Sequence, residues 1–378
     1  MATSVSAALF PHFADLTDPR IDRGKRHSLF DILFLSICAV LAGANDFVAI
    51  ATFGKDKEDW LRRYLELPNG IPSHDTLGRV FAALNPRAFF DCFAQWIEAL
   101  AQADGQFIAI DGKTLRASLD RATNLGPLHV VSAWATRQRL SLGQVAVEEK
   151  SNEITAIPRL LEMLELQGAI VTIDAMGCQK EIAAKIREQE ADYVLAVKAN
   201  QEHLEQDVAA AFAAADQGGD PAKDLRARET HERGHGRQET RRCEVLPVPS
   251  DLRGREQWKD LRSIARVIRV YRERGQEKSE VRYFISSLLP RVKVLTQAIR
   301  SHWGIENNLH WVLDLYFGED RSRVRERQAA ENLAWLRRWI ISLLRNDTTL
   351  SGGVEKKRLQ AGWNEQKLEK LLGLGGAF

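Results

Sequence analysis

Cysteine is scarce in this chain, with four among 378 residues, and the four are scattered. Cys38, Cys92, Cys178 and Cys243 form no Cys-x-x-Cys pair, so neither a disulfide framework nor a zinc site is indicated. A reducing, cytoplasmic compartment is the expectation. Long apolar runs are also missing. The longest, residues 32–44, is interrupted by Ser36 and Gly43 and falls short of the roughly 20 residues that cross a bilayer. It lies behind the charged segment 18–25, so a buried helix is expected there rather than a secretory signal or a membrane span. Neither Gly-x-x-x-x-Gly-Lys nor Gly-x-Gly-x-x-Gly occurs, which leaves nucleotide hydrolysis without its phosphate cradle. Net charge is only +2 and by itself names no partner.

What is present is length and apolar content enough for two domains, or for one with a large insertion: 44% of residues are hydrophobic. Residues 1–102 read as helical. Apolar spacing predicts helices over 31–42, 48–67 and 76–84, the last two separated by the breakers Pro68-Asn-Gly-Ile-Pro72, and a further helix over 89–101. Ser73 is a plausible N-cap, and His74, Asp75 and Arg79 would then sit near a helix start able to enter a DNA groove. After residue 106 the pattern turns to strands: 107–111, 129–136, 140–148, 169–174 and 193–198, with helices at 154–166 and 179–190. This order implies an α/β fold with a mixed sheet covered by helices. Residues 201–290 behave as an insertion with strands at 264–272 and 281–286. Helices over 294–316 and 325–344 follow, and the Gly-rich end after 346 reads as peripheral. Arginine clusters in the insertion, with six Arg against three Glu over 225–242. Local basic patches of this kind suit a polyanion.

Three carboxylates suggest chemistry. Asp111 and Asp174 each close an apolar strand, and strands so placed can lie side by side with their carboxylates at one edge. Winding residues 294–316 at 100° per residue puts Leu295, Ile299, His302, Leu309, His310 and Leu313 on the same side as Glu306. A carboxylate on such a stripe requires a compensating cation. An oxygen-rich cluster of Asp111, Asp174 and Glu306 suits Mg²⁺ or Mn²⁺, and a pair of ions could assist phosphoryl transfer. His302 and His310 bracket Glu306 one turn either side and could orient it or touch a phosphate. Asp314 is the weaker candidate ligand, more suited to an ion pair. Trp303, Trp311, Trp335 and Trp339 read as core.

Several ordered segments carry a family resemblance: Ala109-Ile-Asp-Gly-Lys-Thr-Leu-Arg116, Thr172-Ile-Asp-Ala-Met-Gly-Cys-Gln179, His235-Gly-Arg-Gln-Glu-Thr-Arg241 and His302-Trp-Gly-Ile-Glu-Asn-Asn-Leu-His-Trp311. Over nearly its whole length the chain resembles the insertion-sequence transposases of the ISAs type, the H-repeat-associated family, which carry a DDE site. The resemblance implies a ribonuclease H-like core over residues 103–345, with a β-rich insertion at about 201–290. A helical DNA-binding domain over 1–102 precedes the core, and a tail follows over 346–378. The resemblance implies Asp111, Asp174 and Glu306 as catalytic, metal-binding residues that hold two Mg²⁺ or Mn²⁺ ions.

The reaction it implies is cleavage of double-stranded DNA at element ends, followed by transfer of the 3′-hydroxyl to target DNA. A homodimer assembled on DNA in the bacterial nucleoid would carry it out. A domesticated DNA-binding protein and a nuclease that does not join strands are the alternatives. The wider group places Tyr, Arg and Lys around its Glu; this chain has Ile299, His302 and Leu313 there. Lys113, Lys198 and Arg300 become the candidate replacements for contacting phosphate. His74, Arg79, Arg237, Arg241 and Arg242 are the candidate DNA contacts.

Overall fold

Among the described residues, nine strands carry the architecture in a computed structural model of the chain. It describes residue 13 and residues 16–21, 25–100, 107–119, 126–147, 153–234, 237–273 and 276–374, excepting the side chains of 95–100, 233–234, 237–238 and 273. The strands are β1 (Phe107–Leu115), β2 (Leu128–Ala135), β3 (Leu140–Val147), β4 (Ile170–Ile173), β5 (Asp192–Val197), β6 (Arg226–Gly234), β7 (Arg237–Pro247), β8 (Ser263–Glu273) and β9 (Gln276–Ser286). The chain divides into two compact units, one of Met1–Gln102, Gly112–Lys150 and Glu306–Phe378, the other of Ala103–Asp111 and Ser151–Ile305. β1 passes from the second to the first between Asp111 and Gly112.

In the first unit the strand order is β3-β2-β1, with β2 and β3 an antiparallel hairpin. The unit is centred on the helix Arg327–Asn346, which is buried along most of its length. Its Trp335 packs on Phe90 at 4.7 Å and Trp339 on Phe93 at 5.0 Å. Asn332 donates to the carbonyls of Phe81 and Leu84, which satisfies the end of the helix His74–Ala83. The helix Leu29–Leu41 is the expected buried one, capped by Ser28. Among the described residues no helix is long and apolar enough to cross a membrane.

In the second unit the order is β1-β4-β5-β9-β8-β7-β6. β1, β4 and β5 run parallel, and their apolar runs are buried as central parallel strands require. From β5 onward the pairing is antiparallel. The first five strands of the chain are the ribonuclease H-like core, and β6–β9 are the β-rich insertion. The insertion joins the core directly, since β5 pairs with β9 through Val194↔Ser286 to Val197↔Tyr283. Phe107, Ile170, Val194, Val245, Ala265 and Leu295 pack into one cluster across that junction.

Four expectations change. The region 48–67 is the helix Phe47–Asp56 and a short turn Glu58–Leu61. The insertion holds two strands, β6 and β7, beyond those expected at 264–272 and 281–286, and their paired positions are mostly polar or charged, as in Glu229↔Arg242 and His231↔Thr240. The single helix over 294–316 is interrupted, as described below. The Gly-rich end forms the helices Val354–Trp363 and Glu365–Leu372. Buried Arg358 anchors the first of them by donating to the carbonyls of Val40 and Ala44 at the end of Leu29–Leu41, where a helix terminus favours a cation.

Candidate active site

The β1–β4 register pairs Ile110 with Ile173. Asp111 and Asp174 are the next residues on these parallel neighbours, about 4.8 Å apart in the pairing direction. β1 continues through Asp111 to Leu115, so only Asp174 ends its strand. Asp174 accepts a hydrogen bond from Met176 N at 3.0 Å and caps a short 3₁₀ turn. Burial and then the charge of Glu153 push its carboxyl above the usual range, opposed by the Gly177 and Met176 N–H groups and by Lys198. Ionised Asp174 therefore lacks full compensation in the protein alone, and a cation is the natural complement.

Glu306 opens a π-helical turn, Glu306–His310, between the helices Val292–Ile305 and Trp311–Tyr316. The wider turn breaks the 100° progression, so Glu306 leaves the apolar stripe and its side chain is 54% exposed, while Leu309 and His310 are buried. π-turns of this kind frequently occur at functional sites. His310 Nδ1 and Glu306 Oε2 share a hydrogen bond at 3.1 Å. That hydrogen bond, then the charges of His310 and Lys113, hold the Glu306 carboxyl below its usual value against partial burial. Carboxylate oxygens are hard donors suited to Mg²⁺ or Mn²⁺, while the imidazole beside Glu306 is a borderline donor. The nearby Cys178 adds no soft ligand, since burial pushes its thiol to about 12.

The cations predicted around the carboxylates have different settings. Lys113 is buried and reaches Asp314 at 2.6 Å and Asp320 at 2.8 Å, which gives Asp314 the ion-pair role expected of it. Lys198 is exposed just past β5. Arg300 donates to Glu232 at 2.6 Å. His302 shares a hydrogen bond with Thr172 of β4 at 3.1 Å. Trp335 and Trp339 are core, as expected, whereas Trp303 and Trp311 are exposed.

Of the predicted DNA contacts, His74 and Arg79 are exposed on the helix His74–Ala83, capped by Ser73 as expected. Arg241 pairs with Glu232 and Glu239, and Arg242 with Glu244. The side chain of Arg237 lies outside the described residues. Sequence reasoning passed over Arg321, Arg323 and Arg325, which are exposed in the loop before Arg327–Asn346. Their signal is the alternation Arg321-Ser-Arg-Val-Arg325, cations spaced by smaller residues.

Comparison with known proteins points one way. The family model described as "Transposase DDE domain" matches residues 102–343, and one described as "DDE_Tnp_1-associated" matches residues 10–97. YncI of Escherichia coli O157:H7, provisionally named a transposase, is 40% identical over 97% of this chain and 94% of its own length. YhhI of Escherichia coli strain K12, named as H repeat-associated, is 39% identical over 97% of this chain and 98% of its own. A piggyBac transposase synaptic complex with hairpin DNA overlaps with a TM-score of 0.39 at 10% identity, covering 99% of this chain and 78% of that one. So loose an overlap carries no argument.

Proposed function

The chain belongs to the DDE transposase family, and from that premise we propose that it cleaves DNA at the ends of its own mobile element and joins the freed 3′-hydroxyl to target DNA. The observation that carries the reading is the β1–β4 register, with Asp111 and Asp174 following the paired Ile110 and Ile173. Membership in the family implies use of a divalent metal. Asp111, Asp174 and Glu306 would hold it, with His310 beside Glu306, and Mg²⁺ or Mn²⁺ suits their oxygens. When bound, a pair of such ions activates the attacking hydroxyl and stabilises the leaving oxygen.

The protein's own groups prepare that site. His310 orients Glu306 through the 3.1 Å hydrogen bond, as a partner to a ligating carboxylate does. Lys113, fixed by Asp314 and Asp320, contributes positive potential that keeps Glu306 ionised. Lys198 acts in the same direction on Asp174, where burial and the charge of Glu153 outweigh it. Residues 1–102, with His74 and Arg79 exposed, recognise the element ends in this reading. Arg237, Arg241, Arg242 and Arg300 are further candidates for DNA contacts. Because two ends are cut and joined together, the working form is a homodimer on double-stranded DNA.

The test is a strand-transfer assay with a duplex bearing the native element end, a target plasmid and Mg²⁺. Joined products are expected from the wild type and none from Asp174→Asn. Cleavage without joining would instead identify a nuclease.

A further inference from the structure

The first unit holds a cleft of about 870 Å³ lined by His74, Gly78, Arg79, Arg321, Arg323 and Arg325, among others. Over residues 321–325 burial alternates: the three arginines are exposed, Ser322 is buried and Val324 half-buried. Arg321 closes the 3₁₀ turn Glu319–Arg321 and the chain is extended from Ser322 (φ −64°, ψ 119°), which leaves the cations on the outer face. At about 3.3 Å per residue, alternate side chains are roughly 6.6 Å apart, wide enough for each to meet a separate phosphate.

This segment is anchored from beneath. Glu319, fully buried, accepts from Arg338 Nη1 at 2.7 Å, and Ser322 Oγ accepts from Arg337 at 3.2 Å. Glu326 caps the following helix by accepting from Ala329 N at 2.6 Å. The backbone under the arginines is thus held before any ligand arrives, which lowers the ordering cost of binding.

The charges in the cleft are unequally engaged. Its carboxylates have partners: Asp46 caps Ala49 N, Asp75 lies 3.4 Å from His74, Asp314 holds Lys113, and Glu326 is the cap just described. Arg79 donates to the Asp75 carbonyl rather than to a carboxylate. Among the described residues, Arg321, Arg323 and Arg325 have no side-chain hydrogen bond or ion pair. The cleft also reaches Asp314, whose partner Lys113 acts on Glu306.

We propose that this cleft seats the phosphodiester backbone of DNA through Arg79, Arg321, Arg323 and Arg325, an inference that rests on the reading of the chain as a DNA transposase. Arginine at three alternate positions matches phosphate oxygens by its forked geometry, and backbone contacts position DNA without reading its sequence.

The experiment measures fluorescence anisotropy of two labelled duplexes of equal length, one with the native element end and one unrelated, across a salt series. The triple variant Arg321→Gln, Arg323→Gln, Arg325→Gln should bind both at least about tenfold more weakly. Its log–log salt dependence should become shallower by about 2 to 3, at about 0.9 for each phosphate no longer neutralised, with unchanged melting. Single variants, each expected to flatten the slope by about 1, decide the matter if the triple melts early. Wild-type affinity and slope in the variants would overturn the proposal. Wild-type protein that binds neither duplex would instead overturn the transposase reading beneath it.

Discussion

The strands β6–β9 and the segment 318–326 are both rich in arginine and use it in opposite ways. In the strands, arginines meet glutamates and aspartates. Arg266 bonds Asp216 at 2.8 Å and also Glu244, Arg269 bonds Glu239 at 2.8 Å, and Arg282 bonds Glu280 at 2.7 Å. The Arg266–Glu244 and Arg269–Glu239 pairs cross from β8 to β7 and stabilise pairing where apolar alternation is weak, whereas Arg282–Glu280 lies within β9 and Arg266–Asp216 ties β8 to a helix. In the segment, buried Arg337 and Arg338 act below while Arg321, Arg323 and Arg325 remain available above. Counting basic residues along a sequence therefore measures cationic content and says little about which cations a polyanion can reach.

Breaking the anchor should have the largest effect. Glu319→Ala leaves Arg337 and Arg338 buried without their carboxylate, and loss of one partner of a buried pair costs about 3–5 kcal/mol. Denaturant unfolding should report that loss, and DNA affinity should fall with it. Stability near wild type would show that the pair does not hold the segment.

Opening the paired region is a smaller change in the opposite direction. Glu239→Gln removes an acidic partner from both Arg241 and Arg269, so DNA binding should tighten about two- to threefold and its salt dependence should steepen by about 1. If binding is unaffected, the insertion lies away from DNA.

Acid should give the smallest effect and discriminate between the regions. Asp207, Asp216 and Glu280 have carboxyls held below their usual values, chiefly by hydrogen bonds from Arg253, Arg266 and Arg282. Their contribution is present above the unfolded-state value, roughly pH 4, and is lost as pH falls through the lower folded values. Hydrogen exchange below about pH 4 should show β6–β9 and the helix Glu202–Asp216 loosening, with rates referred to an unstructured peptide. Residues 321–325 make no such bonds themselves; burial opposes, and Arg338 and Arg337 enforce, the low carboxyl of Glu319 beneath them, so any loosening there should follow that one anchor. Equal protection of β6–β9 across that window would show that the pairs do not hold the sheet.

Much of the core is legible in the sequence because its signals are local. The apolar runs of β1, β4 and β5 specify buried strands, and Asp111 and Asp174 follow their matched positions. Glu306 is identifiable as a carboxylate at helical spacing, but its exposure is not, since the 100° rule assumes an α-helix and five residues here form a π-turn. β6 and β7 escape because their paired positions are mostly polar or charged and show no hydrophobic alternation. The helices at the end escape because Arg358, polar in sequence, is buried by its bonds to the Val40 and Ala44 carbonyls. Arg321, Arg323 and Arg325 can be seen in the sequence, but their lack of partners requires the fold.

Whether Asp111, Asp174 and Glu306 act as one metal-dependent cleavage site on DNA is tested most directly by single-turnover nicking of an element-end duplex by Asp174→Asn, with binding measured on the same samples. Cleavage should fall by at least about a thousandfold while DNA affinity stays within about twofold of wild type; full cleavage by the variant would contradict the shared site.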